Sequence, residues 1–555
     1  MTQNITENEV KELFNQIEEY LSRYMYKESW DLLSPLLDKR NLYPDALAAD
    51  ISIYAAYSSL GMSGKDKSQS KALLEEGLEL AKTADSQTGE AMALNVFGLL
   101  TLKEGDPGEA LKYCERARSI LEDIDDTKHL GKVYHHLMYC FAKLGQLSKA
   151  LSYESKAFRL YQSEGNKWRQ FSSLNELAGL HYEAAHFQEA IAYSRKAAEL
   201  AEHLGDSKFI LKSNFLEGVV LKRQGQLVKA KNFFLEAIEK YEDMYEGEVP
   251  PGVLRGHFYN LANVYELLGE LGKAKAIYAK LLEEEQQTGK HYDLCASLGL
   301  GRLAVAQADF EEAARFIEDA LTKNRPKKGK GKSLYLAEQL VLLSTVYVEL
   351  ADFEKAQHLL EEAESLELES RYTKIVGEYG KGFLAQAERN FRAARESFEL
   401  CLDLAVEVGL AEYRIKALFH LASLELYEYR ISGSRNSLES MQTILDDAYA
   451  IALDSDMPVL SIEIGILRGL SCSAKLDFEC AAALFEENLN KARDLGLTTR
   501  TAEIEALLRE VQETRKKAAE LTDPEAILAD SKKLSDYIGN LQNVIRMYQE
   551  GQDAT

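Results

Sequence analysis

Asp309-Phe-Glu-Glu-Ala313, Asp352-Phe-Glu-Lys-Ala356 and Asp477-Phe-Glu-Cys-Ala481 are copies of one phrase, and that phrase decides the fold. Looser copies are Gln146-Leu-Ser-Lys-Ala150, His186-Phe-Gln-Glu-Ala190, Gln226-Leu-Val-Lys-Ala230, Glu270-Leu-Gly-Lys-Ala274, Asn390-Phe-Arg-Ala-Ala394 and Asp106-Pro-Gly-Glu-Ala110. With Ser29, Ala72 and Ser437 taking the alanine's place, twelve units follow at intervals of 38 to 44 residues. A small residue stands twelve before the alanine (Gly98, Ala178, Gly218, Ala262, Gly301, Ser344, Gly382, Gly469), and the first two units lack it. A bulky one often follows four after it: Phe234, Tyr278, Ile317, Leu360, Phe398, Phe485. Between the phrases apolar residues recur at helical spacing, and sustained alternation of period two is absent. Each unit is therefore predicted to be two antiparallel helices. Small residues on the facing sides allow close approach of the axes, and neighbouring hairpins must stack to bury their apolar faces.

The small–alanine–bulky pattern resembles the tetratricopeptide repeat over residues 10–495, with a period nearer 41 than 34. It is similar to the 40-residue subclass of kinesin light chain, Pins-type, MalT-type and Rap-type arrays. The resemblance implies an all-α, right-handed α-α superhelix (a solenoid of about twelve hairpins). Residues 1–85 are expected to form degenerate capping repeats, 86–497 the array, and 498–555 C-terminal helices. The stretch Tyr429–Ser437 replaces the usual turn and makes the eleventh unit irregular. Thr501–Leu521 reads as one amphipathic helix. A last helix, opened by Thr522-Asp-Pro-Glu, carries an apolar stripe through Ile527, Leu534, Ile538, Leu541 and Ile545 and either caps the array or detaches from it.

Composition narrows the function classes. The chain has 555 residues, 46% hydrophobic, with net charge −24. That balance disfavours non-specific nucleic-acid binding, which needs a cationic field. No apolar run is long enough to span a membrane, and the start Met-Thr-Gln-Asn-Ile-Thr reads as no secretory leader. Six cysteines without a CxxC pair point to a reducing, cytoplasmic setting with neither a disulfide nor a zinc framework.

No motif supports catalysis. Gly329-Lys-Gly-Lys-Ser333 lacks the first glycine of a phosphate loop, since residue 326 is Pro326. The basic run 323–332 reads as a solvated loop between units. His135 and His136 are adjacent, and His181 and His186 are five apart, so neither pair has helical zinc spacing. Cys114 and Cys401 fall at packing positions. No cofactor, metal or catalytic residue is expected.

In tetratricopeptide proteins the first helix of each unit lines a concave groove. Residues three before, one after, and four or five after the small residue face that groove. The resemblance thereby selects Asn95, Lys103, His135, Tyr139, Lys143, Asn175, Tyr182, Phe215, Lys222, Arg223, Tyr259, Asn263, Arg302, Tyr379 and Phe383. Cations, amides and aromatics together suit an acidic peptide or helix. The expected function is a non-enzymatic scaffold or adaptor binding a partner in the groove. The alternatives are a Rap-like, peptide-responsive regulator and a stoichiometric subunit beside a separately encoded enzyme.

Overall fold

A computed structural model describes residues 7–62, 67–247, 252–288, 295–325 and 334–520. They form twenty-five α-helices and no strand. The first helices are α1 (Glu7–Ser22), α2 (Tyr26–Leu37), α3 (Asp45–Gly61), α4 (Lys67–Thr83), α5 (Gln87–Lys103), α6 (Pro107–Asp123), α7 (Thr127–Lys143), α8 (Leu147–Ser163), α9 (Lys167–Glu183) and α10 (Phe187–Leu204). Next come α11 (Ser207–Arg223), α12 (Leu227–Met244), α13 (Arg255–Leu267), α14 (Leu271–Thr288), α15 (Ala296–Ala306), α16 (Phe310–Asn324), α17 (Leu334–Glu349) and α18 (Phe353–Ser365). The series closes with α19 (Arg371–Ala387), α20 (Phe391–Val408), α21 (Ala411–Ser432), α22 (Arg435–Asp454), α23 (Pro458–Ala474), α24 (Phe478–Asp494) and α25 (Thr498–Glu520). Odd- and even-numbered helices pair into twelve hairpins, followed by α25. They gather into two compact units, one through Leu216 and the other from Glu217 to Arg325 and from Leu334 onward.

The repeated phrase is the start of each even-numbered helix. Its first residue is the N-cap: Asp106, Asp309, Asp352, Asn390 and Asp477 each accept the backbone N–H three residues on, at 3.0–3.3 Å. This satisfies one of the four N–H groups a helix start leaves unpaired. Where Gln146, His186 or Gln226 takes the place, no side-chain cap bond forms. Just before the cap one residue adopts left-handed backbone, as glycine at 105, 145, 225 and 269 but as Ala308, Ala351, Arg389 and Leu476 elsewhere. The signature alanines from Ala110 to Ala481 are fully buried, and where the small residue is Gly218, Gly301, Gly382 or Gly469 the bulky residue four on from the alanine lies against it. A Cβ on Gly469 would come within 2.5 Å of the Phe485 ring, and one on Gly382 within 2.7 Å of Phe398. A large side chain thus fills the space a glycine leaves, at the density of a crystal.

Three expectations change. Ala72 is exposed; the fourth residue of α4, where the other alanines stand, is the buried Ser70. Its hydroxyl donates to Ser59 at 3.0 Å. The shift moves the position twelve before it to Ser58, which is fully buried, so the second unit does carry the small residue. The chain also has a disulfide. Cys472 near the end of α23 and Cys480 in the first turn of α24 flank one tight turn, which brings their Cα atoms to 5.9 Å, within bonding reach. The other four cysteines are free and buried.

In the eleventh unit α21 runs on to Ser432, and a left-handed Gly433 and the Ser434 cap then make an ordinary short turn. The irregularity is extra helix, not a loop. Helix α25 spans Thr498–Glu520. The last helix expected after it, the Gly329–Ser333 segment and most of the basic run lie outside the described residues.

Candidate functional site: the inner face of the odd-numbered helices

The candidate residues all fall on odd-numbered helices, and the structure brings some of them together. In the first unit Asn95 is buried and its Oδ1 lies 2.9 Å from His136 Nδ1. His135 turns toward the buried Glu154 at 3.0 Å. Burial opposes protonation of that ring, but the Glu154 carboxylate more than offsets it and raises the pKa. Tyr139 donates to Glu176 at 2.6 Å. Asn175 donates to the Phe171 carbonyl, Tyr182 is buried and Phe215 half-buried. Lys103 and Lys143 are exposed at helix ends, and the Lys103 carbonyl accepts Lys67 Nζ at 2.8 Å.

In the second unit Lys222 is buried. Its ammonium donates to Asn260 at 2.9 Å and to Asn263 at 2.7 Å. Burial and then the Arg223 and Arg302 charges pull it down to about 7. Arg223 reaches Glu338 on α17 at 3.3 Å and lies 4.0 Å over the Tyr372 ring of α19. Arg302 bonds Glu266 at 3.1 Å, Tyr259 at 3.1 Å and Tyr278 at 2.8 Å. Burial raises the Tyr259 hydroxyl to about 12. Tyr379 and Phe383 gather around His420, with ring centroids 5.7 and 5.2 Å away. Arg223 and Arg302 therefore have acidic partners within their own unit, and Lys222 has amide partners. Across this unit, helices far apart in sequence meet: a Cβ on Gly225 would strike Ala411 and Ser455, and one on Gly269 would strike Pro458 and Leu495.

Spacing from the small residue overlooked the acids, of which Glu266 is four after Ala262, inside the stripe already selected. It also stopped the stripe too early. The same face continues toward the helix start, six and ten residues before the small position, because steps of three and four keep to one side of a helix. Lys132, Ser172, Lys212 and Glu338 occupy the first of these positions, and Trp168 and Tyr372 the second.

Lys132, at one of those positions, belongs to a charged cluster of the first unit. Glu18 of α1 meets Lys132 of α7, Arg169 of α9 and the Tyr54 hydroxyl of α3. Arg169 Nη2 is 3.2 Å from its Oε2. Burial opposes ionisation, but the two cations and their hydrogen bonds hold the Glu18 carboxyl well below the usual range. Burial pulls Lys132 itself down to about 8. Arg23 then lies 4.9 Å over the Trp168 ring, and Tyr24 bonds the Ser172 hydroxyl. Thus side chains of α1 and of the turn after it reach α3, α7 and α9. No group of three or more His, Cys, Asp or Glu residues suited to a metal ion occurs among the described residues, and no described helix is long and apolar enough to cross a membrane.

No curated protein sequence matches the chain. Among solved structures it is similar to aspartyl phosphate phosphatase F from Bacillus subtilis, at 17% identity over 66% of this chain and 96% of that one, with TM-score 0.42. It is also similar to a Rap protein complexed with competence and sporulation factor, at 14% identity over 73% and 99%, TM-score 0.42. A third is a tetratricopeptide repeat protein from Parabacteroides merdae, at 17% identity over 54% and 98%, TM-score 0.31. The tetratricopeptide repeat family matches residues 258–288, which span α13 and α14. One hairpin thus matches the tetratricopeptide repeat, and hairpins of the same build stand before and after it in an all-α helical repeat fold.

Proposed function

We propose that the chain is a non-enzymatic protein-interaction scaffold that takes a peptide or helix of a partner on the inner face of its odd-numbered helices. One observation carries the reading: α1 already lies on that face, held through a carboxylate by cations from two separate hairpins. A surface that accommodates one acidic helix has the shape and charge to accommodate another. His135, Tyr139 and Asn175 lie on α7 and α9, the helices of that clamp, and Asn95 lies on α5; Lys103 and Lys143 are exposed at the ends of α5 and α7. In the second unit Lys222 and Arg302 already pair with α13, which carries Tyr259, and Arg223 with α17 and α19, so a ligand there has to exchange with Glu266 and Glu338. An acidic partner follows from the cations that the first unit presents.

Photo-cross-linking in extracts of the native host tests the reading. Lys143→p-benzoylphenylalanine probes the inner face, and Lys112→p-benzoylphenylalanine, on the exposed surface of α6, is the control. A protein captured in defined stoichiometry from position 143 and not from 112 is the expected result. Equal labelling at both positions sinks the proposal.

A further inference from the structure

Glu18 is a carboxylate seated in a receptor that other helices build. Lys132 and Arg169 are nearly buried and come from α7 and α9, which are not neighbours in sequence. With Glu18 removed, two buried cations would face each other with no anion between them, a strongly unfavourable arrangement. Whatever replaces α1 on this face must therefore bring a carboxylate to the same point.

The rest of α1 specifies the remainder of the ligand. Ile17 and Leu21, with Leu13 and Phe14 beside them, form an apolar stripe against Leu33 and Leu36 of α2 and Ile51 and Tyr54 of α3. Beyond the helix the chain turns at Tyr24, whose backbone is left-handed with φ 59°. That turn presents the Tyr24 hydroxyl to Ser172 and its ring to Lys212, 5.7 Å away. Tyr24 is 39% exposed although it bonds the inner face. The occupant's trailing edge is open to solvent, where an invading segment can begin to exchange with it.

We propose that the inner face of the first unit is a receptor for an amphipathic helix with a carboxylate beside its apolar stripe and a tyrosine six residues further on, and that α1 is the chain's own competitor for it. The inference deepens the scaffold reading and rests on it. The partner is an acidic, aromatic-ended helix, and its affinity is set by how readily α1 yields. Ser172, Lys132, Arg169 and Tyr54 are the residues that read it.

The test uses the full-length chain and a fluorescein-labelled synthetic peptide of residues 7–26 as probe. The Glu18→Ala chain has a weakened hold on its own α1 and should bind the peptide about tenfold or more tighter than the wild-type chain does. A peptide that itself carries Glu18→Ala should bind neither. Adding Arg169→Met to the Glu18→Ala chain should abolish the gain. Equal binding by wild type and variant, or undiminished binding of the Ala-bearing peptide, overturns the proposal. Should Glu18→Ala fail to fold by circular dichroism, hydrogen exchange on the wild-type chain decides. Excess peptide must speed exchange in α1 while leaving α5 and α6 unchanged, and no change in α1 overturns the proposal. If cross-linking at position 143 captures a partner while the peptide fails, the scaffold reading stands and only the role of α1 falls. If the peptide succeeds and cross-linking fails, the receptor stands and the claim of a native partner falls.

Discussion

At the scale of single residues, backbone conformation and buried charge make distinct predictions. Leu476 adopts left-handed backbone with φ 64° and is half exposed, in a turn position that other hairpins give to glycine. A side chain there costs about 1–2 kcal/mol through crowding of Cβ against the backbone. Leu476→Gly should therefore raise the unfolding free energy by about 1 kcal/mol, less the extra entropy of the unfolded chain; a lower midpoint in urea titration would contradict it. Lys222 has a folded pKa of about 7 because of burial and the adjacent guanidinium groups. Its unfolded value is roughly 10.4. Between those values the unfolded chain holds a proton that the folded chain does not, so stability rises with pH across the window. Lys222→Met should flatten the rise in melting temperature between pH 7 and pH 9. An unchanged slope would show that this ammonium is not linked to folding.

At the scale of elements, the hairpin depends on a large residue facing a small one. Phe485 is fully buried against Gly469. The ring has no room to swing away, so Gly469→Ala should destabilise by about 1–3 kcal/mol through overpacking. Denaturant titration measures this, and a neutral effect would mean the helices separate at little cost. Asp477 tests the cap in the same hairpin: Asp477→Ala removes the acceptor for the Cys480 N–H and should cost about 1 kcal/mol. The eleventh hairpin shows how much variation the design absorbs. Its extra helix lengthens α21 and α22 together, and the buried faces of Leu421, Leu424, Met441 and Leu445 remain continuous.

At the scale of the whole molecule, buried histidines make both units sensitive to acid. His136 in the first unit and His420 in the second are buried and held down to about 3, and His257 to about 4, in each case mainly by burial. Their unfolded values are roughly 6.5. The stability they contribute is complete above about 6.5 and lost as pH falls toward the folded values, because the unfolded chain binds more protons. Glu18, with its depressed carboxyl, adds to the loss below the ordinary carboxylate range. Melting temperature should fall steadily from pH 7 to pH 4.5. His420→Gln should shallow that fall, and an unchanged slope would sink the assignment.

The repeat was legible in the sequence because each hairpin's requirements are local. An N-cap, an alanine against the next helix, and a bulky residue sixteen beyond a small one all lie within a single period, so periodicity alone predicted twelve hairpins. Where local cues weakened, register slipped, as Ala72 taken in place of Ser70 shows: serine is a less distinctive small residue than alanine. The inner-face positions were legible as helical geometry. What those side chains contact was not. Glu18 finds Lys132 and Arg169 more than a hundred residues away, and Arg223 finds Glu338 across three hairpins. Cys472 and Cys480 bond because one turn folds them together. Hydrogen bonds and ion pairs act over a few ångströms, and only the accumulated rotation from hairpin to hairpin sets which distant side chains come that close. Local periodicity dictates the repeating unit, and the packing of distant hairpins sets which charges neutralise one another.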